Sequence, residues 1–287
     1  MIHWLLNVLI GIKVGLCSCT PEVRRLGKHQ EQPLRLRSQY RVERIGRLPL
    51  VVNESSGLAR RTATTVWTHN DGGGRATLYG VEPAGPGKLG TLLDSIALPQ
   101  LRNIDWEDLA QQDSTRLFIA DLGNNGNARR DLMIHEVGLP QKTVSTYTIS
   151  YADQTAFPPK KRNFDCEAVF YRSDSLFLLS KNRSGHIVRL YGLPARPGTH
   201  TLMPLDSVFI KSMVTGAAVS PNGNKLAVIT YGKVLFFDLS NRNSIRLNRF
   251  AGCLRLPRGQ SEAITFMTDN ELIITNERGR VYRVIPR

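Results

Sequence analysis

Short runs of apolar and β-branched residues alternate with polar turns from about residue 40 to the end of the chain. Five segments share one pattern, in which a polar residue is followed by a small or acidic one and then by apolar residues. They recur at intervals of 51, 60, 48 and 47 residues. A period near 50 is typical of folds built from one repeated supersecondary unit. The segments are 56–59, 107–110, 167–170, 215–218 and 262–265.

Further strand-like runs follow each segment, separated by polar turns such as HNDGGG from His69. Their β-branched and aromatic residues, bounded by turn signals, predict strands. The second strands are predicted at 65–68, 116–120, 175–179, 225–229 and 271–274, and the third at 76–81, 132–137, 187–193, 233–239 and 280–285. A fourth, outer strand is predicted in four repeats, at 91–98, 145–152, 205–210 and 244–251.

The fifth repeat reaches the end of the chain without a fourth strand. Residues 40–48 have the right pattern to supply it. We therefore predict an all-β, five-bladed β-propeller with four-stranded blades, whose last blade is closed by the N-terminal strand. Residues 40–287 would form this single domain. Six blades, or a sandwich or other β repeat, are the alternatives.

The N-terminal segment has the features of an export signal. Its apolar run at 4–19 is short for a bilayer span and suits a secretory signal. The sequence Leu16-Cys17-Ser18-Cys19 resembles a bacterial lipoprotein signal, which predicts lipidation of Cys19. We expect a signal at 1–19, a basic tether at 20–39, and export to the cell envelope, lipid-anchored in the periplasm or outer membrane. The alternatives are a plain cleaved signal, or a misplaced start codon and no export.

Composition narrows the class of protein. A hydrophobic fraction of 41% and a charged fraction of 22% exclude collagen, long disorder and a polytopic membrane protein. The net charge is +14, and the basic residues that produce it are scattered along the chain, as on a solvated surface. This excess of positive charge also allows polyanion binding. Export argues against a nucleic-acid partner. In the body, Cys166 reads as a small buried residue, and its pairing with Cys253 stays open.

In a propeller, the first strand of each blade lines the central channel. Three carboxylates and two hydroxyls would therefore point at one axis, where crowded carboxylates repel each other and their pKa values rise. A hard cation such as Ca²⁺, with 6–8 oxygen ligands, relieves this. A channel capped by hydrogen bonds and waters is the alternative. The predicted ring is Ser56, Glu107, Glu167, Thr215 and Glu262.

The same face should carry the polar turns between second and third strands. These residues are candidate ligand contacts, although Asn and Asp also form turns for conformational reasons. Asp105, Asp165 and Glu107 are candidate groups for activating water beside a metal. The predicted ligand face consists of His69, Asn70, Asp71, Asp121, Asn124, Lys181, Asn182, Arg183, Tyr231, Asn276, Glu277 and Arg278.

Nine motifs carry a family resemblance: ESSGLA (54–59), WTHNDGG (67–73), DWEDLA (105–110), IADLGNN (119–125), DCEA (165–168), LLSKNR (178–183), TGAAVSPNG (215–223), SEAI (261–264) and TNERG (275–279). They resemble a family of bacterial β-propeller lipoproteins that is similar to the SdiA-regulated propeller family. The ring order Ser, Glu, Glu, Thr, Glu also resembles that of calcium-dependent apyrases. Both resemblances imply a propeller, and the second implies a central Ca²⁺.

Three functions fit these observations. The first is a Ca²⁺-containing binding or scaffold protein at the cell envelope, with an unknown ligand on the ring face. The second is a metal-dependent hydrolase of a phosphoester, phosphoanhydride or lactone. The third is a basic module for polyanions or membrane. Whether the protein is an enzyme stays open at this point.

Overall fold

The computed structural model describes residues 23–24, 36, 39–83, 85, 87–139, 141–240, 245–247, 249–257 and 259–287. The predicted signal, Cys19 and most of the predicted tether lie outside these residues. The strands, in chain order, are β1 (Val23–Arg24), β2 (Tyr40–Arg47), β3 (Ser55–Arg60), β4 (Val66–Asn70), β5 (Thr77–Glu82), β6 (Thr91–Ala97), β7 (Trp106–Asp113), β8 (Arg116–Asp121), β9 (Leu132–Gly138), β10 (Thr143–Tyr151), β11 (Asp165–Arg172), β12 (Ser175–Lys181), β13 (Ile187–Pro194), β14 (Gly198–Leu202), β15 (Pro204–Ile210), β16 (Val214–Val219), β17 (Lys225–Thr230), β18 (Lys233–Asp238), β19 (Phe250–Arg255), β20 (Ser261–Phe266), β21 (Leu272–Asn276) and β22 (Arg280–Pro286).

These strands form five separate sheets, which we call blades 1 to 5. Blade 1 is β3–β6, blade 2 is β7–β10 with β14, and blade 3 is β11–β13 with β15 and β1. Blade 4 is β16–β19, and blade 5 is β20–β22 with β2. The first strands β3, β7, β11, β16 and β20 contact one another in that order, and β20 returns to β3. The fold is therefore the predicted five-bladed propeller.

The ring closes through the N-terminal strand, as the sequence predicts. β2 runs antiparallel to β22, with Val42 opposite Val284 and Tyr40 opposite Pro286. Tyr40 also stacks on Phe236 of blade 4, with ring centroids 5.6 Å apart. The last blade thus combines both ends of the domain and has no unpaired strand at the seam.

The predicted outer strand of blade 4 is misplaced. It was expected at 244–251, whereas β19 is Phe250–Arg255. Ile245 and Leu247 are buried, which explains the alternating pattern, but Leu247 N donates to the side-chain carboxylate of Asp206 on β15 and not to a backbone carbonyl of blade 4. Cys253, which is fully buried, lies opposite Leu235 in the strand that forms. Burial pattern alone cannot distinguish a packed irregular segment from a strand.

Two strands were not predicted. β14 pairs in parallel with the outer strand β10, so a segment between two strands of blade 3 extends blade 2. β1 pairs antiparallel with β15 at the edge of blade 3. Both additions cover outer blade edges, which would otherwise offer unpaired backbone groups.

Apolar side chains fill the spaces between neighbouring blades. One cluster joins blades 3 and 4 through residues such as Phe170, Val228 and Phe237, and another joins blades 2 and 3 through Phe118, Tyr147 and Tyr191. Cys166 belongs to the second cluster and is a free, buried thiol, so it does not pair with Cys253. None of the described residues forms a helix with the length and apolar character needed to cross a bilayer.

Candidate metal centre

The five ring residues share one backbone feature. Each is the unpaired residue of a β-bulge near the start of its first strand, where two residues oppose one on the second strand. A bulge re-aims the side chain at that position. The repeat of this bulge in all five blades explains why a polar residue recurs at the same place. The ring residues are Ser56, Glu107, Glu167, Thr215 and Glu262.

The two ring hydroxyls link adjacent blades. Ser56 Oγ donates to the backbone carbonyl of Glu107 at 2.7 Å, and Thr215 Oγ1 donates to that of Ser261 at 2.7 Å. Each bond runs from one first strand to the next around the ring. The hydroxyls of Ser56 and Thr215 therefore join neighbouring blades, as expected for a channel that is closed by hydrogen bonds.

The carboxylates on this face form two groups that share Glu107. We call Asp71, Asp105 and Glu107 the open group, and Glu107, Asp165 and Glu167 the paired group. Within each group, one oxygen of every residue lies within 4.8 Å of the others, close enough to hold a metal ion. Asp71 comes from the HNDGGG turn and Asp105 from the loop before β7. Among the described residues, Glu262 joins neither group.

Two cations, one at the end of β12 and one in the turn after it, pair with the paired group. Lys181 Nζ bonds Glu167 Oε1. Arg183 Nε donates to Asp165 Oδ2 at 2.5 Å, and the same guanidinium reaches Glu167 Oε1 at 3.3 Å. Burial raises the pKa of Glu167 to about 7, although Lys181 and Arg183 oppose that rise. Lys181 also lies 5.6 Å from the ring centre of Tyr231.

The open group has no such cations. Within the described part of the chain, neither Asp71, Asp105 nor Glu107 forms an ion pair with a basic side chain. Burial, followed by the charges of Asp71 and Asp165, raises the pKa of Asp105 to about 6. Burial and the charge of Glu167 hold the pKa of Glu107 well above its ordinary value. Among the described residues, these three carboxylates thus have no directly paired cation, although Arg129 and Lys181 act on them from a distance and lower their pKa values in part.

Two glycines form the wall behind the open group. A Cβ on Gly123 would lie 2.3 Å from Asp105 Cγ and 2.4 Å from Glu107 Oε1. A Cβ on Gly72 would lie 2.5 Å from Asp105 Oδ1. No other residue type leaves the carboxylates where they are. The sequence suggests only turn roles for these glycines, because Asp105 is distant in sequence from both of them; it approaches Gly72 from another blade and Gly123 from the same blade.

Two further aspartates hold the site in place through backbone amides. Asp121 accepts from Asp105 N at 3.1 Å and pairs with Arg129 at 3.0 Å. It therefore positions Asp105. Asp108, which is fully buried, accepts from Leu109 N at 2.8 Å, Val169 N at 2.9 Å and Ala217 N at 3.2 Å, and so ties three first strands together. No sequence signal distinguishes Asp108 from a ligand.

Several residues of the predicted ligand face serve the fold. His69 is fully buried, its Nδ1 lies 2.9 Å from Asn70 O, and burial lowers its pKa to about 4. Asn276 accepts from Arg278 N and Arg280 N and shapes its turn. The other contacts within the fold are Asn70 to Val51 O, Asn124 to Phe164 O, Asn182 to Ile210 O and Glu277 to Gln260.

The arrangement defines a propeller whose channel mouth concentrates carboxylates, some paired and some unpaired. Buried acidic residues at this mouth can hold a metal ion. No family model matches the chain, and no curated protein matches it. The function is therefore argued from the site itself.

Proposed function

We propose that this protein is a binding propeller of the cell envelope that holds a Ca²⁺ ion in the open group. One observation carries the proposal: the carboxylates of the exposed Asp71, the half-buried Asp105 and the buried Glu107 lie within 4.8 Å of each other, with no described basic side chain paired to them. Crowding such charges at a partly buried site without compensation is costly. A bound divalent cation removes that cost and stabilises the folded ring.

The ligand chemistry favours Ca²⁺ over other metals. All three side chains offer only oxygen ligands. Among the described residues, no Cys or His joins them, as a zinc site would require. Asp71 is exposed and Asp105 is half-buried, so waters can complete a shell of 6–8 oxygens. Mg²⁺ demands a tighter octahedron of six ligands. The glycine wall leaves no room for a bulky group.

The unoccupied sites of such an ion face solvent and would take part in binding. An anionic ligand would be attracted to the ion and to Arg183, whose side chain is 27% exposed. Lys181 is bound to Glu167 and contributes mainly to the fold. A carboxylate or phosphate is the natural partner of an Arg beside a metal. The location at the cell envelope is supported by the resemblance of the sequence motifs to propeller lipoproteins and by the apolar run before Cys19.

Asp105 supports a second candidate function, metal-dependent hydrolysis. Its carboxyl group, with a pKa of about 6, is ionised at neutral pH and is suited to accept a proton from a water bound to the ion. Asp165 is less suited, because Arg183 and the Asn124 amide already occupy its oxygens. A phosphoester, phosphoanhydride or lactone would be the substrate.

The first test is thermal melting of the full chain in EDTA and then in millimolar Ca²⁺ or Mg²⁺. At a Ca²⁺ concentration of one hundred times Kd, binding to the folded state alone adds about 2.7 kcal/mol, which raises the Tm by about 5–10 °C. We expect this rise with Ca²⁺ and a smaller one with Mg²⁺. Equal melting curves in EDTA and Ca²⁺ would disprove the metal site.

Two Asp→Asn variants make the test specific. Asp105→Asn should abolish the Ca²⁺ response, whereas Asp94→Asn should keep it, because Asp94 lies on the outer strand of blade 1 and pairs with Arg61. If the unmodified chain shows the Ca²⁺ response and Asp105→Asn loses it, a panel of phosphoesters, nucleotides and lactones distinguishes the two functions. Turnover that chelation abolishes would favour the hydrolase, and its absence would favour the binding protein.

A further inference from the structure

A cavity of about 580 Å³ opens at the end of the channel opposite the carboxylates. We call it the funnel. The first strands begin at the carboxylate face, and the funnel is lined by later residues of all five of them, among them Arg60, Gln111, Arg172, Val219 and Phe266. Its volume lies in the range of pockets that enclose small organic ligands. Nothing in the metal proposal uses this cavity.

An apolar layer separates the funnel from the carboxylates. Leu58, Leu109, Val169 and Ala217 lie two residues after the ring positions on their strands, and all four are buried. They also line the cavity, so they form its floor. A ligand in the funnel therefore contacts apolar surface at its inner end and cannot reach the open group.

The funnel wall is rigid where it is polar. Gln111 Oε1 accepts from Arg60 N at 3.0 Å, and its Nε2 donates to Arg60 O at 2.7 Å, which ties blade 2 to blade 1. Arg172 Nε donates to Gly223 O at 3.1 Å, and Arg172 Nη2 donates to Leu239 O at 2.6 Å. These bonds fix the wall before any ligand arrives, which favours binding.

The charges on the wall favour an anion. Arg60 and Arg172 line the cavity, against one carboxylate, Asp113. Thr115 engages that carboxylate through its amide at 2.8 Å and its hydroxyl at 2.7 Å, which holds it at the turn after β7. Arg60 is exposed, and among the described residues its guanidinium makes one hydrogen bond, to Met267 O at 3.1 Å. Its remaining donors can bind an acidic group at the rim.

We propose that the funnel is a second binding site and that it takes a small amphiphilic anion. The apolar body of the ligand would lie on the floor formed by Leu58, Leu109, Val169 and Ala217. Its carboxylate or sulfonate would pair with Arg60 at the rim. This pairing of an apolar base with a few fixed polar groups is the usual composition of a small-molecule pocket.

The test is a fluorescence titration of the full chain with 8-anilinonaphthalene-1-sulfonate, an aromatic sulfonate. We expect saturable binding to one site per chain. Arg60→Gln should weaken it by about tenfold, the usual effect of losing a charge-assisted hydrogen bond. Arg60→Lys should restore most of the affinity. Arg41→Gln, at an exposed arginine on β2, is the matched control and should change nothing.

Two further variants test where the probe binds. Val219→Trp fills the funnel and should abolish binding. Ser114→Trp does the same from an exposed position on the rim and keeps the test valid if Val219→Trp does not fold. Asp105→Asn should leave the titration unchanged, so a failure of the metal site does not affect this result. The neutral probe N-phenyl-1-naphthylamine should bind in the funnel without responding to Arg60→Gln.

Three outcomes would overturn the proposal. Unsaturable binding, or binding that survives both tryptophan variants, would mean that the probe binds elsewhere. Binding that the tryptophans block but Arg60→Gln leaves intact would remove the preference for an anion. Each variant is compared only where its melting transition remains cooperative, because exposed core surface also binds this probe.

Discussion

The open and paired groups share Glu107, yet they handle buried negative charge in different ways. In the paired group, Lys181 at the end of β12 and Arg183 in the following turn bring the positive charge. The corresponding turn of blade 1 contributes Asp71 to the open group, and that of blade 2 contributes Gly123 to its wall. One side of the channel mouth is therefore paired with cations of the chain, and the other side could hold a metal ion.

Asp108 adds a third arrangement next to these two. It is adjacent to Glu107 in sequence but satisfies its carboxylate with three backbone amides. Burial still raises its pKa well above the ordinary value. Neighbouring acidic residues thus serve as a structural tie and as a candidate ligand. Asp108 and Glu107 differ in the direction in which each side chain leaves β7.

The largest effect should follow from removing the lysine of the paired group. Lys181→Met leaves Glu167 buried beside Arg183 alone, and breaking a buried pair in this way costs about 3–5 kcal/mol. We expect the free energy of unfolding in urea to fall by that amount in EDTA. Millimolar Ca²⁺ should recover part of the loss, because the paired group then lacks a cation, as the open group does.

The double variant Lys181→Met with Glu167→Gln is its control. Removing both charges should restore most of the stability, and the additional Ca²⁺ effect should disappear. If Lys181→Met has the same free energy of unfolding in Ca²⁺ as in EDTA, Ca²⁺ does not replace the missing lysine. The presence or absence of paired cations would then not explain the difference between the paired and open groups.

A smaller effect is expected from the wall of the open group. Gly123→Ala places a Cβ against Asp105 and Glu107, which should cost about 1–3 kcal/mol and displace both carboxylates. Ca²⁺ affinity, measured by calorimetry, should fall by about tenfold or more. Gly126→Ala is the matched control in the same loop, where a Cβ meets nothing within 4 Å. Equal affinities in the two variants would argue against an ion at this wall.

The smallest effect is a dependence on pH. Because the pKa of Asp105 is raised to about 6 in the fold, the folded protein keeps a proton that the unfolded chain has lost. Without an ion, the stability contribution of Asp105 therefore falls as pH rises through about 4 to about 6. Ca²⁺ competes with that proton, so its effect on the Tm should grow by about 3 °C from about pH 5 to about pH 7.5.

Asp105→Asn supplies the reference curve for this measurement. In EDTA, the variant should gain stability relative to the unmodified chain as pH rises over the same range, since it carries no ionisable group there. A constant difference between the two curves would mean that Asp105 does not titrate as the structure indicates. His69, which also titrates in this range, is present in both proteins and cancels.

The blade structure was predictable because it depends on local pattern. Strands such as β8, β12 and β17 have β-branched and apolar runs bounded by turn residues, and the 50-residue period revealed the repeat. The error at β19 arose where residues near Ile245 are buried without pairing. β14 was missed because its partner β10 belongs to the preceding repeat, about 50 residues earlier in the chain, and no local signal reports a distant edge.

The all-β repeat, its five blades, the closing strand and the recurrence of polar residues at the start of each first strand could be derived from the amino-acid sequence. These features follow from hydrophobic period and turn chemistry, which act over a few residues. Which carboxylates meet became visible in the folded molecule alone, because Asp71, Asp105 and Glu107 come together across two blades. The tertiary structure also decided that Lys181 is bound to Glu167, that Gly123 is confined by Asp105, and that an apolar floor divides the channel. The approach of Asp71 to Asp105 and the apolar floor depend on how blades pack against each other. The contacts of Lys181 and Gly123 depend on the three-dimensional course of strand and turn within one blade, and no interval along the chain encodes any of these distances.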